Sequence, residues 1–103
     1  MRTAKVFVHN MEAGLLTEIE FSKKYTFQYN KGYSGSLVSL AMPIQDEVYS
    51  FNQFPPFFDG LLPEGYQLDA LLRIAKIDRN DLFSQLLATG QDLVGAVTVM
   101  EKV

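Results

Sequence analysis

The stretch Tyr25-Thr26-Phe27-Gln28-Tyr29-Asn30 places an aromatic side chain at every second residue, with polar groups between. Successive side chains of an extended chain point to opposite faces, so this alternation predicts a strand with one aromatic face turned to a core. On its N-terminal side, residues 4–9 and 15–21 are short apolar-rich segments. They are separated by Asn10-Met11-Glu12-Ala13-Gly14, where Asn10 and Gly14 suit a hairpin turn. His9 ends the first segment and reads as an ordinary strand residue. On the C-terminal side, residues 31–36 read as a flexible loop, and residues 37–42 as a further strand stopped by Pro43.

Beyond residue 54 the period changes. Phe54-Pro55-Pro56 forces an extended approach, and Pro56 suits the first position of a short helix reaching about Leu62. Pro63 and Gly65 break the chain. Residues 66–76 then set Leu68, Leu71, Leu72 and Ala75 on one helical face. Asp78 or Asn80 is expected to cap a further helix carrying Leu82, Phe83, Leu86 and Leu87, with Gly90 at its C-terminal end. Residues 94–100 close the chain as a strand with Val97 and Val99 on one side. Strands, helices and a returning strand predict an α+β fold. The expected architecture is a small antiparallel, barrel-like sheet with two to three short helices inserted before the last strand. All of residues 1–103 are read as one domain, since domains commonly hold about 100–150 residues.

Composition narrows the chemistry. The chain has no cysteine and one histidine, which leaves no thiolate zinc site and no nucleophilic triad around His9. The loop Gly32-Tyr33-Ser34-Gly35 lacks the lysine and following helix of a phosphate-binding loop. Asp59 and Glu64 are too ordinary a carboxylate pair to indicate acid–base catalysis. No enzyme, metal or cofactor is therefore expected. Residues 1–8 carry no signal-peptide core, and no run approaches the roughly 20 apolar residues of a membrane span, so a cytoplasmic chain is expected.

Charge is distributed unevenly. Between Lys31 and Arg73 there is no basic residue, while Asp46, Glu47, Asp59, Glu64 and Asp69 all lie inside, so residues 32–72 carry −5. Such a surface repels phosphate and attracts a basic protein surface. The densest feature lies within it, Phe54-Pro55-Pro56-Phe57-Phe58-Asp59-Gly60-Leu61-Leu62-Pro63-Glu64-Gly65, with three phenylalanines, three prolines, two leucines and two glycines in twelve residues. Prolines hold apolar side chains in one arrangement at low entropic cost. Phe58, Leu61 and Leu62 are expected to anchor the segment, with Pro55, Pro56 and Pro63 shaping it. Phe57, Asp59, Gly60, Glu64 and Tyr66 are the expected partner contacts.

Three blocks together carry a family resemblance: Ser39-Leu40-Ala41-Met42-Pro43, then Phe57-Phe58-Asp59-Gly60-Leu61-Leu62-Pro63-Glu64-Gly65, then Leu86-Leu87-Ala88-Thr89-Gly90-Gln91-Asp92-Leu93-Val94-Gly95-Ala96-Val97. In order and spacing they resemble the amino-terminal subdomain of HipA-type Ser/Thr kinases, the toxins of bacterial type II toxin–antitoxin modules. Such kinases continue with ATP-binding and catalytic segments that have no counterpart here, so no catalytic residue carries over. The resemblance implies a freestanding HipS-like small subunit of a three-gene module, an antitoxin that binds and inhibits a HipT-like kinase. A HipB-like helix-turn-helix DNA-binding protein is the implied third component. The alternative is a non-inhibitory assembly subunit joining kinase to repressor. A small-molecule binder, or a piece excised from a full-length kinase, are weaker readings. The first is disfavoured by the missing chemistry, the second by termini of natural appearance.

Overall fold

The computed structural model describes residues 1–93 and 95–102. Its elements follow in the order β1 (Arg2–Val8), β2 (Met11–Glu20), β3 (Lys24–Tyr29), β4 (Tyr49–Phe51), α1 (Pro56–Asp59), α2 (Gly65–Ala75), α3 (Leu82–Thr89) and β5 (Val97–Glu101). The five strands form one antiparallel sheet ordered β4-β3-β2-β1-β5, with the helices inserted before the last strand. This is the α+β arrangement expected. The sheet is open rather than closed into a barrel: β4 and β5 remain separate edges.

The aromatic alternation behaves as its period requires. Tyr25, Phe27 and Tyr29 are buried while Thr26 and Gln28 face outward. They lie beside Leu16 of β2, Val6 of β1 and Val99 of β5 on the same sheet face. That face is covered by Phe54, Phe58 of α1, and Phe83 and Leu86 of α3. The rings meet edge to face, as their quadrupoles favour: Tyr25 with Phe54 at 5.3 Å and Phe27 with Tyr29 at 5.0 Å between centroids.

A charged cluster ties the last helix to the sheet. The Arg2 guanidinium donates to Glu18 Oε1 (2.6 Å), Asp81 Oδ1 (2.8 Å) and Ser84 Oγ (2.7 Å), and lies 4.9 Å from the Phe83 ring centroid. Glu18 is buried, with 4% of its surface exposed, and its second oxygen accepts the Tyr25 hydroxyl at 3.2 Å. Burial and the neighbouring Glu18 charge push the Tyr25 hydroxyl up to about 12. Burial alone would raise Asp81, but hydrogen bonds from Arg2 and Ser84 outweigh it and hold the carboxyl below its ordinary value. Asp81 also caps α3, accepting the Ser84 backbone N–H at 3.1 Å.

Several local expectations are corrected. The β1–β2 turn is the two residues His9-Asn10, both left-handed (φ 49° and 67°), so His9 is a turn residue and residues 11–14 belong to β2. Residues 37–42 form no strand. Ser39 and Met42 meet only as an isolated bridge closing a tight turn, and the strand that follows β3 is β4. Helix α1 proper ends at Asp59, and single turns carry the chain to Leu62. The α3 cap is Asp81. Asp78 accepts the Asn80 N–H in the preceding turn instead. Gly90 has right-handed φ, −58°, so its requirement is steric: a Cβ there would collide with the Val99 carbonyl, whose own N–H donates to Gly90 O. The last strand begins at Val97, with Val97 and Val99 buried as expected; its expected start, Val94, lies outside the described residues.

Candidate partner-binding site

Residues 54–66 run from the core to the surface. Phe54 and Pro55 are buried, and Pro56 opens α1 at its first position, where the missing N–H costs no helical hydrogen bond. Phe58 is fully buried and packs on Phe27 at 6.1 Å. Phe57 stands edge to face on Phe58 at 5.2 Å and is half-buried. With Phe58 fixed, α1 cannot rotate, and Asp59 and Gly60 are held on the outer side. Leu61, Leu62 and Pro63 are half-buried.

The segment then projects. Glu64 is exposed and extended, and Gly65 takes φ +57°, a left-handed turn that leads directly into α2. Leu68, Leu71 and Leu72 direct the apolar stripe of α2 toward the body, although none is fully buried and Ala75 is exposed. At about 100° per residue this stripe sets Tyr66 on the opposite side. Tyr66 is 93% exposed, and Ile74, nearer the other end of α2, is 79% exposed. Among the described residues, Asp59 and Glu64 form no ion pair, whereas Asp69 pairs with Arg79 at 2.9 Å.

Along this ridge of chain Phe57 is half-buried and Asp59, Gly60, Glu64 and Tyr66 are exposed, with Pro55 and Phe58 buried beneath its start. Apolar clefts flank it. One of about 180 Å³ lies between the turn at Ala41-Met42 and Pro56-Phe57. A second, about 320 Å³, lies on the other side of Phe57 and is bounded by Leu37, Leu61 and Ala96. A third, about 390 Å³, runs from Leu61 to Leu93. Leu40, whose apolar run reads as strand, and Ile74 are exposed residues that the sequence did not single out. Ile74 gave no separate signal, since three residues after Leu71 it reads as the margin of the Leu68/Leu71/Leu72 stripe.

The architecture is an open five-stranded antiparallel sheet with three short helices inserted before its last strand. The chain belongs to the family described as HipA N-terminal domain, whose model matches residues 4–100. It is similar to a solved structure of the N-terminal domain of HipA toxin, with TM-score 0.79 and 31% identity, covering 100% of this chain and 94% of that one. An uncharacterized protein of Haemophilus influenzae is 33% identical over 102 residues, covering 99% of this chain and 94% of the relative. The Serine/threonine-protein kinase toxin HipA of Shewanella oneidensis is 29% identical over 109 residues. The chain spans only 25% of that kinase. The family model, like the solved structure, corresponds to the small N-terminal domain and not to the kinase portion. Among the described residues, no helix is long and apolar enough to cross a membrane.

Proposed function

We propose that this chain is the antitoxin of a three-component toxin–antitoxin module, binding a HipT-like Ser/Thr kinase and suppressing it without being an enzyme itself. The observation that carries the reading is the Phe57–Tyr66 ridge on a HipA N-terminal domain that spans a quarter of a kinase toxin. In a kinase toxin the same domain adjoins its kinase within one polypeptide, so a freestanding copy has a ready surface to meet. The ridge is held from behind by Phe58 and Pro55 and ends in an exposed tyrosine, a residue type enriched where binding energy concentrates. Its carboxylates, Asp59 and Glu64, complement a basic cleft rim.

Mechanistically, Tyr66 and Glu64 enter the kinase cleft, while Phe57 and Leu61 seal its edge and exclude substrate or nucleotide. A HipB-like DNA-binding protein completes the assembly without touching the ridge. Co-expression with the neighbouring kinase gene tests this: growth arrest is relieved by the wild-type chain and persists with Tyr66→Ala. Arrest that continues although both wild-type proteins are soluble sinks the proposal. If arrest is unaffected but operator repression requires the chain, it is an assembly subunit instead.

A further inference from the structure

The block Ser39-Leu40-Ala41-Met42-Pro43 has no role in the ridge as described, yet the fold holds it in place. The Tyr29 hydroxyl, buried under the sheet edge, accepts the Val38 N–H at 2.9 Å and donates to the Met42 carbonyl. Met42 N–H donates to Ser39 O at 2.9 Å, Ala41 N–H to Ser39 Oγ at 3.2 Å, and Tyr49 Oη to Pro43 O at 2.6 Å. Val38 and Met42 are buried on either side. Between them Leu40 is lifted out of the body with 90% of its surface exposed. An apolar side chain on a backbone fixed from both ends loses little further freedom when it is bound, which is the condition for an anchor.

This turn is continuous with the ridge. Ala41 and Met42 form one wall of the 180 Å³ cleft whose opposite wall is Pro56-Phe57. Phe57 divides that cleft from the next, and Leu61 joins the next to the third. The protruding leucine therefore stands one residue from the wall of an apolar cleft whose other wall is the start of the ridge. The charge here favours a foreign occupant over a second copy: Asp59 and Glu64, on the segment that Phe57 opens, are exposed and form no ion pair among the described residues, so two copies meeting here would oppose like charges.

We propose that the Leu40 turn, with the cleft between Ala41 and Phe57, is a second anchoring point for the same basic-rimmed kinase, separate from the Tyr66 end. It rests on the antitoxin reading. Leu40 supplies residence time, and Tyr66 supplies inhibition. The test titrates the purified kinase with wild-type chain, Leu40→Asp, Leu40→Ser and Tyr66→Ala, reading Kd, dissociation rate and residual kinase turnover at saturation. Both Leu40 variants weaken binding about tenfold through faster dissociation, as expected for loss of an interface anchor, and still inhibit fully once saturated. Tyr66→Ala binds but leaves turnover at saturation. Thermal melting of the Leu40 variants matches wild type, because the side chain touches little.

If wild type binds and inhibits while both Leu40 variants bind within twofold of it, the second anchor is wrong and the antitoxin reading stands. If wild type does not bind the kinase, both fail. If the isolated chain sediments as a dimer that Leu40→Asp dissolves, the face belongs to a second copy and the proposal is overturned.

Discussion

At the scale of single residues, the Arg2 cluster shows how one side chain can hold a helix to a sheet. Arg2 serves Glu18 on β2 and Asp81 and Ser84 at the start of α3. Removing it strands the nearly buried Glu18 with only Tyr25 Oη and the Ser22 N–H as donors. Arg2→Ala should therefore cost about 3 kcal/mol in urea denaturation, the cost of breaking a largely buried ion pair. Asp81 makes the same cluster sensitive to acid. Its folded carboxyl lies below the ordinary 3.8, so its contribution is complete above that value and is lost as pH falls below it toward the folded value. Asp81→Asn keeps a capping oxygen but removes the charge. The variant's urea midpoint should be lower than wild type at neutral pH and should converge on it in acid. Parallel curves at all pH values would show that the charge is idle.

At the scale of elements, two glycines do different work. Gly65 has open space around it and needs only its left-handed φ, so Gly65→Ala should cost about 1 kcal/mol of backbone strain. Gly90 is pressed against the Val99 carbonyl, so Gly90→Ala must part α3 from β5 and should cost about 3 kcal/mol. Equal losses in urea denaturation would refute that distinction. Gly65→Ala should also weaken kinase inhibition more than it weakens folding, because it re-aims Tyr66. The same elements show what was legible in the sequence. Tyr25-Phe27-Tyr29 and Phe83-Leu86 were readable because burial repeats with the local period. The turn at 37–42 was not, since Leu37, Val38, Leu40 and Met42 look like strand until Tyr29, 9 and 13 residues away, takes up Val38 and Met42. Strand β4 is three residues long and exists only through its pairing with β3. Asp81 lies 79 residues from Arg2, and no local pattern encodes their meeting. In the candidate site, the burial of Phe58 followed from the motif, but the reach of Tyr66 depends on Gly65 and on the register of α2.

At the scale of the whole molecule, charge is distributed unevenly along the chain. The ridge, the Leu40 turn and the clefts between them all lie within or beside the cation-free span from residue 32 to 72, whereas Arg73, Lys76 and Arg79 follow immediately after it. A field of one sign acts before contact is made, and in association kinetics it appears mainly in the on-rate. If the partner presents a basic cleft, association should slow several-fold as salt is raised from low to physiological strength, with dissociation nearly unchanged. Reversing Asp59 and Glu64 together to lysine should lower the on-rate about tenfold and flatten the salt dependence. Leu40→Asp, which adds a negative charge but removes an apolar anchor, should leave the on-rate close to wild type and act on dissociation. Stopped-flow mixing of the chain with the kinase across a salt series separates the two. An on-rate indifferent to salt, or a Leu40 effect that appears in association rather than dissociation, would remove charge from the recognition mechanism and leave apolar fit to account for it.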